Sequence, residues 1–219
     1  MSAATYVQAL NLACGAFLLL GVLMLWRREQ SAIVTLLAGQ GVIVAVIAAM
    51  LGAQQHHPEL YAVAAGVVVL KVFVLPTMLR RVLRESGAAR ENSPLVNIAA
   101  SMLAAALLTL LAYALAGPLV ELAPTATTRA VPVGLATVFL GIFLMVTRRR
   151  ALSQAIGFLL LDNGIAVTAL LTVGGVPLLV ELGVLLDLLM MVLVLQVLTA
   201  RLRTTFGHTE LDELKELHD

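Results

Sequence analysis

The chain has 219 residues, 61% of them hydrophobic and 12% charged, with a formal net charge of +1 and a mean hydropathy of +1.01. Soluble domains carry about a quarter charged residues, so an ordinary soluble protein is excluded, and apolar runs of about 20 residues, long enough to cross a bilayer, identify a polytopic membrane protein. The single cysteine, Cys14, excludes an internal disulfide and any cysteine-based metal or iron–sulfur site.

In chain order, seven spans are predicted near 4–25, 31–53, 59–79, 95–116, 131–147, 152–174 and 177–200. The fold class is therefore all-α, a transmembrane helical bundle over 1–203, followed by a hydrophilic tail, 204–219. The first apolar run has no basic segment before it and ends in Trp26-Arg27-Arg28 without a small-residue cleavage site, the pattern of a retained span. Pro58, Pro94, Pro132 and Pro177 fall at predicted helix starts, where a missing N–H costs nothing, and Ser93-Pro94 has the form of an N-cap followed by the first helical residue. Pro76 lies inside the third span and predicts a kink there. No segment outside the spans is large enough to be a catalytic domain.

Basic residues alternate by loop. Arg27 and Arg28 follow span one; Arg80, Arg81, Arg84 and Arg90 follow span three; Arg148, Arg149 and Arg150 follow span five; Arg201, Arg203 and Lys215 follow span seven. The other loops hold only Arg129. The positive-inside rule then predicts an external amino end and a cytoplasmic carboxyl end in the cell inner (plasma) membrane. These basic residues read as topology signals, not as a nucleic-acid patch.

Four charged residues lie well inside the predicted spans. Lys71 lies about 12 Å of helix from the predicted end of span three, further than a lysine stem comfortably snorkels. Asp162 falls near the middle of span six, and Asp187 at similar depth in span seven; Glu181 is shallower, about a turn inside the outer edge. An isolated charge in hydrocarbon is costly, so such residues pair, hydrate or face a polar cavity. Lys71, Asp162 and Asp187 come from different helices at similar depth, which predicts a shared buried polar axis with Glu181 nearer its outer end. The bland alternatives are a snorkelling or anchoring role for Lys71 and a helix-register hydrogen bond made by Asp162 with Asn163.

Other candidates carry little chemistry. "GQGV" at 39–42 lacks the third glycine and the strand–helix setting of a dinucleotide fingerprint. His56-His57 in a short outer loop reads as solvated, not as a metal ligand pair. No set of side chains suits a hydrolase, and no cofactor of the chain's own is expected. In the tail, Thr209 can cap a short helix whose Leu211, Leu214 and Leu217 form a stripe for a partner surface.

Four of these stretches resemble a known family: "LKVFVLP" in span three, "LLLDNGI" in span six, "PLLVELGVLLD" in span seven and "ELDELKEL" at the close. They are similar to the hydrogenase-4 membrane component E family, and spans five to seven are similar to the small subunit K of complex I and to the corresponding small subunit of Mrp-type cation/proton antiporters. The resemblance implies a membrane subunit of a complex I-like, membrane-bound [NiFe]-hydrogenase or formate-hydrogenlyase-type assembly. Its implied partners are the lipid bilayer, antiporter-like and other membrane subunits and, indirectly, a soluble nickel and iron–sulfur arm. Its implied proton or sodium path would use Lys71, Asp162, Glu181 and Asp187. The family usually has Glu before Asn-Gly, so the shorter Asp162 is expected either to need a bridging water or to be less active in transfer. Rival readings are a self-sufficient antiporter, and a scaffold subunit whose buried charges only fix helix register.

Overall fold

The computed structural model describes residues 2–55, 58–85, 96–122, 124–148 and 151–173. The predicted seventh span with Glu181 and Asp187, the tail, Ser93-Pro94 and His56-His57 lie outside them. Among the described residues every regular element is helical: α1 (Ala3–Trp26), α2 (Gln30–Gln55), α3 (Glu59–Val67), a π-helical segment (Val68–Val74), α4 (Leu75–Glu85), α5 (Ile98–Leu122), a 3-10 turn (Thr128–Ala130), α6 (Val131–Thr147) and α7 (Ala151–Val173). The α3, π and α4 pieces form one continuous rod, so these elements supply six helices long and apolar enough to cross a membrane. Leu12, Leu19, Phe73, Leu103, Leu107 and Leu110 stay exposed on the outside of these rods, as expected where the solvent is lipid.

Helix ends follow the local sequence with instructive shifts. Span four starts later than predicted, at Ile98, because Asn97 supplies the cap: its Oδ1 accepts the Ala100 N–H at 2.7 Å. The same helix continues past its predicted end through Pro118 to Leu122, and the third rod continues to Glu85. A proline forfeits one backbone hydrogen bond, which costs less in a lipid-embedded helix than unravelling the rest of it. At Pro76 the predicted irregularity takes the form of the π segment just before it, where the Leu75 N–H reaches back to the Leu70 carbonyl.

α1, α2, α6 and α7 form the centre of the bundle, with α2 touching α1, α7 and the third rod, and α6 touching α1, α5 and α7. The closest pair is α6 with α7, and glycines make it so. A methyl group at Gly141 would sit 2.5 Å from the Leu161 backbone nitrogen; at Gly164, 2.6 Å from that of Val138; at Gly157, 2.8 Å from that of Met145. Gly134 faces Thr168 in the same way. Gly134 with Gly141, and Gly157 with Gly164, stand two turns apart on their helices, so each forms a stripe along which two backbones meet. Apolar side chains gain nothing by leaving lipid for another apolar surface, so close backbone packing has to supply much of the attraction.

The buried apolar core falls into two parts. One contains Leu10, Phe17, Ile47, Leu51, Leu60 and Leu171; the other, toward the end bearing the arginine-rich loops, contains Met24, Val34, Leu79, Leu140, Ile156 and Leu160. On α2, α7 and the third rod, the residues between the two parts are the buried polar ones: Gln40, Asp162, Asn163 and Lys71. Gly141→Leu is expected to lower the unfolding temperature in mild detergent and the yield of folded protein, overpacking of this kind costing about 1–3 kcal/mol. Gly15→Ala, where nothing lies within 4 Å, should be neutral or slightly stabilising in the same assay.

Candidate functional site

The polar layer is built from three rods and anchored on a fourth. Lys71 stands near the middle of the span Leu60–Arg84 and Asp162 midway along Leu152–Thr172, so both are as far from either membrane face as their helices allow. The third rod runs on to Glu85, about 21 Å of helix from Lys71. Lys71 does not depend on snorkelling for its solvation. Lys71 Nζ instead donates to Asp162 Oδ2 at 2.9 Å and to Asn163 Oδ1 at 2.8 Å. The shorter acid thus reaches the ammonium directly, and the bridging water expected from its length is not needed for this contact.

Two local features make the reach possible. A methyl group on Gly41 would come 3.0 Å from Lys71 Cβ and 3.4 Å from its carbonyl oxygen, so the bare backbone of α2 is what lets the lysine pass toward α7. The π turn that contains Lys71 widens the helix at the same level. Next to Gly41, Gln40 is fully buried, accepts from Asn163 Nδ2 at 3.3 Å through Oε1, and donates through Nε2 to the Phe17 carbonyl of α1 at 3.0 Å. Reading "GQGV" only as a nucleotide motif passes over Gln40; a carboxamide between two glycines at mid-span is the signal the sequence offers for it.

Of the residues singled out for an ion path, Lys71 and Asp162 are in contact, whereas Glu181 and Asp187 lie outside the described residues. Among the described residues no group of three or more His, Cys, Asp or Glu could hold a metal ion. Cys14 is buried in α1 and unpaired with another cysteine.

At the arginine-rich end a second buried polar set ties helices together. Arg148, read from sequence as a loop cation, is 6% exposed and donates to the Leu25 and Arg27 carbonyls at 3.3 and 3.4 Å. It thereby satisfies carbonyls left open at the carboxyl end of α1, where a cation also complements the helix dipole. Gln30 Nε2 donates to Ser153 Oγ at 2.7 Å, joining the starts of α2 and α7.

Comparison with known proteins places this architecture. The chain is 48% identical over 220 residues to an uncharacterized protein of Mycobacterium tuberculosis, the match spanning 100% of both. The two belong to one family. The chain is also a distant homologue of hydrogenase-4 component E of Escherichia coli, 27% identical over 180 residues that cover 82% of this chain and 83% of that protein. The same identity and coverage hold for hydrogenase-4 component E of Shigella flexneri. No family model and no solved structure matches the chain. The six apolar rods and this homology make the family one of membrane proteins.

Removing Lys71 from the buried pair is expected to cost about 3–5 kcal/mol, because the Asp162 carboxylate stays buried without the ammonium that offsets its burial. Lys71→Met should therefore lower unfolding temperature in detergent, and Lys71→Met with Asp162→Leu should restore part of the loss. An additive double variant would show that the two charges do not depend on each other.

Proposed function

We propose that the protein is an integral membrane subunit of a complex I-like, membrane-bound [NiFe]-hydrogenase or formate-hydrogenlyase-type complex. In it the buried charges form part of the route by which redox chemistry elsewhere drives proton or sodium movement. The observation that carries this reading is the Lys71–Asp162 ion pair at mid-bundle, 2.9 Å long and joined by amides to two further helices. An acid and a base held together in low dielectric respond strongly to a nearby charge, since each controls the protonation of the other. Homology to hydrogenase-4 component E supports the redox assignment. Glu181 and Asp187 are proposed to extend the route in a seventh span, 177–200, with the amino end outside, the carboxyl tail in the cytoplasm and the inner membrane as the location. Antiporter-like membrane subunits and a soluble nickel and iron–sulfur arm complete the proposed assembly.

Inverted membrane vesicles carrying the whole complex test this. Lys71→Met and Asp162→Asn should leave electron transfer from an artificial donor in place while reducing ion uptake per turnover by at least tenfold; Asp162→Glu, which keeps the charge, should retain most uptake. Normal uptake in Lys71→Met would defeat the reading in favour of a scaffold role. Topology is tested separately: a reporter fused after Asp219 should work only on the cytoplasmic side and one near His56 only outside, by the charge asymmetry of the loops.

A further inference from the structure

Resting on that reading, we propose that Gln40 is a positioning residue for the Lys71–Asp162 pair: it orients the Asn163 amide so that an oxygen, not an NH2 group, faces the ammonium. The two ends of a carboxamide have nearly the same shape and opposite hydrogen-bonding sense, so Asn163 by itself could present either end. The orientation is set two helices away. The Phe17 carbonyl can only accept, so the end of Gln40 that lies 3.0 Å from it is Nε2. Oε1 of Gln40 then faces Asn163, and only the donor end of Asn163, Nδ2 at 3.3 Å, bonds there. Oδ1 is left for Lys71 Nζ at 2.8 Å. A backbone carbonyl of α1 thus fixes the polarity of two side-chain amides in sequence and, through them, the acceptor offered to a charge on the third rod.

The surroundings hold Gln40 to this task. It is fully buried; a methyl on Gly21 would come 3.3 Å from its Nε2, and one on Gly39 would meet Leu20 at 3.2 Å. Gly21 is also the residue whose N–H bonds the Phe17 carbonyl within α1 by helix geometry, so its missing side chain leaves the second lone pair of that oxygen open to Gln40. Gln40 makes no bond to either charged group among those described and acts through Asn163. Without it, only the attraction of the ammonium itself keeps the Asn163 oxygen turned toward Lys71, and the Nδ2 end loses its acceptor.

The test uses the complete complex in inverted vesicles. Gln40→Met, close in length but without a donor or a strong acceptor, should assemble normally, reduce ion uptake per turnover several-fold and displace its pH profile. Asn163→Leu should do likewise, and the double variant should lose no more than Asn163→Leu alone, because Gln40 then has nothing to orient. Gln40→Glu provides rescue: a protonated acid donates to Phe17 and accepts from Asn163 as the amide does, so uptake should recover on acidification and fall on alkalinisation. This variant also decides the matter if Gln40→Met fails to assemble. Unchanged uptake and pH profile in Gln40→Met, multiplied losses in the double variant, or a Gln40→Glu complex that pumps independently of pH or never recovers would each overturn the positioning role. The wider reading stands in those cases if Lys71→Met still abolishes uptake, and falls only if Lys71→Met pumps normally.

Discussion

A charge at the centre of a lipid-embedded bundle has no water to stabilise it, and the energetic cost of that position organises the helices around it. The idealised penalty for one such ion is about 20 kcal/mol, and several kcal/mol survive after relaxation and pairing. Lys71 and Asp162 lower that penalty only when their helices bring the two side chains together, 2.9 Å apart in this structure. Gly41 on α2 and the π turn around Lys71 therefore belong to the charge site as much as the charges do, since a larger residue at Gly41 would push the lysine backbone away from α2.

The polar layer and the glycine stripes divide the work of holding the bundle. Between α6 and α7, Gly134, Gly141, Gly157 and Gly164 permit close backbone contact over the length of the pair, which gives attraction but little to choose one register over another two turns away. A buried hydrogen bond distinguishes registers, because a slip leaves donor and acceptor unpaired in an apolar medium. The chain from Phe17 through Gln40 and Asn163 to Lys71 supplies that distinction for α1, α2, α7 and the third rod at one level. Arg148 on the α1 carbonyls and Gln30 on Ser153 repeat it at the arginine-rich end.

Span positions are legible in the sequence because hydrocarbon thickness sets a length that the apolar runs must meet, and described helix ends depart from expectation mainly where a rod runs on past its apolar run, to Glu85 in the third rod and through Pro118 to Leu122 in α5. The expected ends mark the limit of each apolar run, and a helix need not stop where it leaves hydrocarbon. The proximity of Lys71 and Asp162 is legible too, since the cost of each alone argues for the other. Gln40 carries no charge and Arg148 sits in a loop, so neither raises the energetic alarm that a mid-span ion does, although Gln40 is fully buried and Arg148 nearly so. The glycine stripes are visible as repeated spacing but have no meaning until one knows which two helices meet. The π turn has only Pro76 as its sign.

The geometry at Lys71 bears on how a paired charge can remain movable. A lysine held by a carboxylate alone would be stranded when that carboxylate took up a proton, and the loss of its partner would oppose the protonation. Here the ammonium is held at a fork, with Asp162 Oδ2 at 2.9 Å and the neutral Asn163 Oδ1 at 2.8 Å on adjacent residues of α7. If the charge of Asp162 is removed, as in Asp162→Asn, the cation keeps the oxygen of Asn163, whose other end is anchored through Gln40 to the α1 backbone. The neutral arm of the fork lowers the cost of the state in which the pair is uncoupled, without removing the attraction that restores it. A site of this kind can hold its charges at mid-membrane and still let one of them change, which a pair sealed only by its own Coulomb attraction does with far greater difficulty.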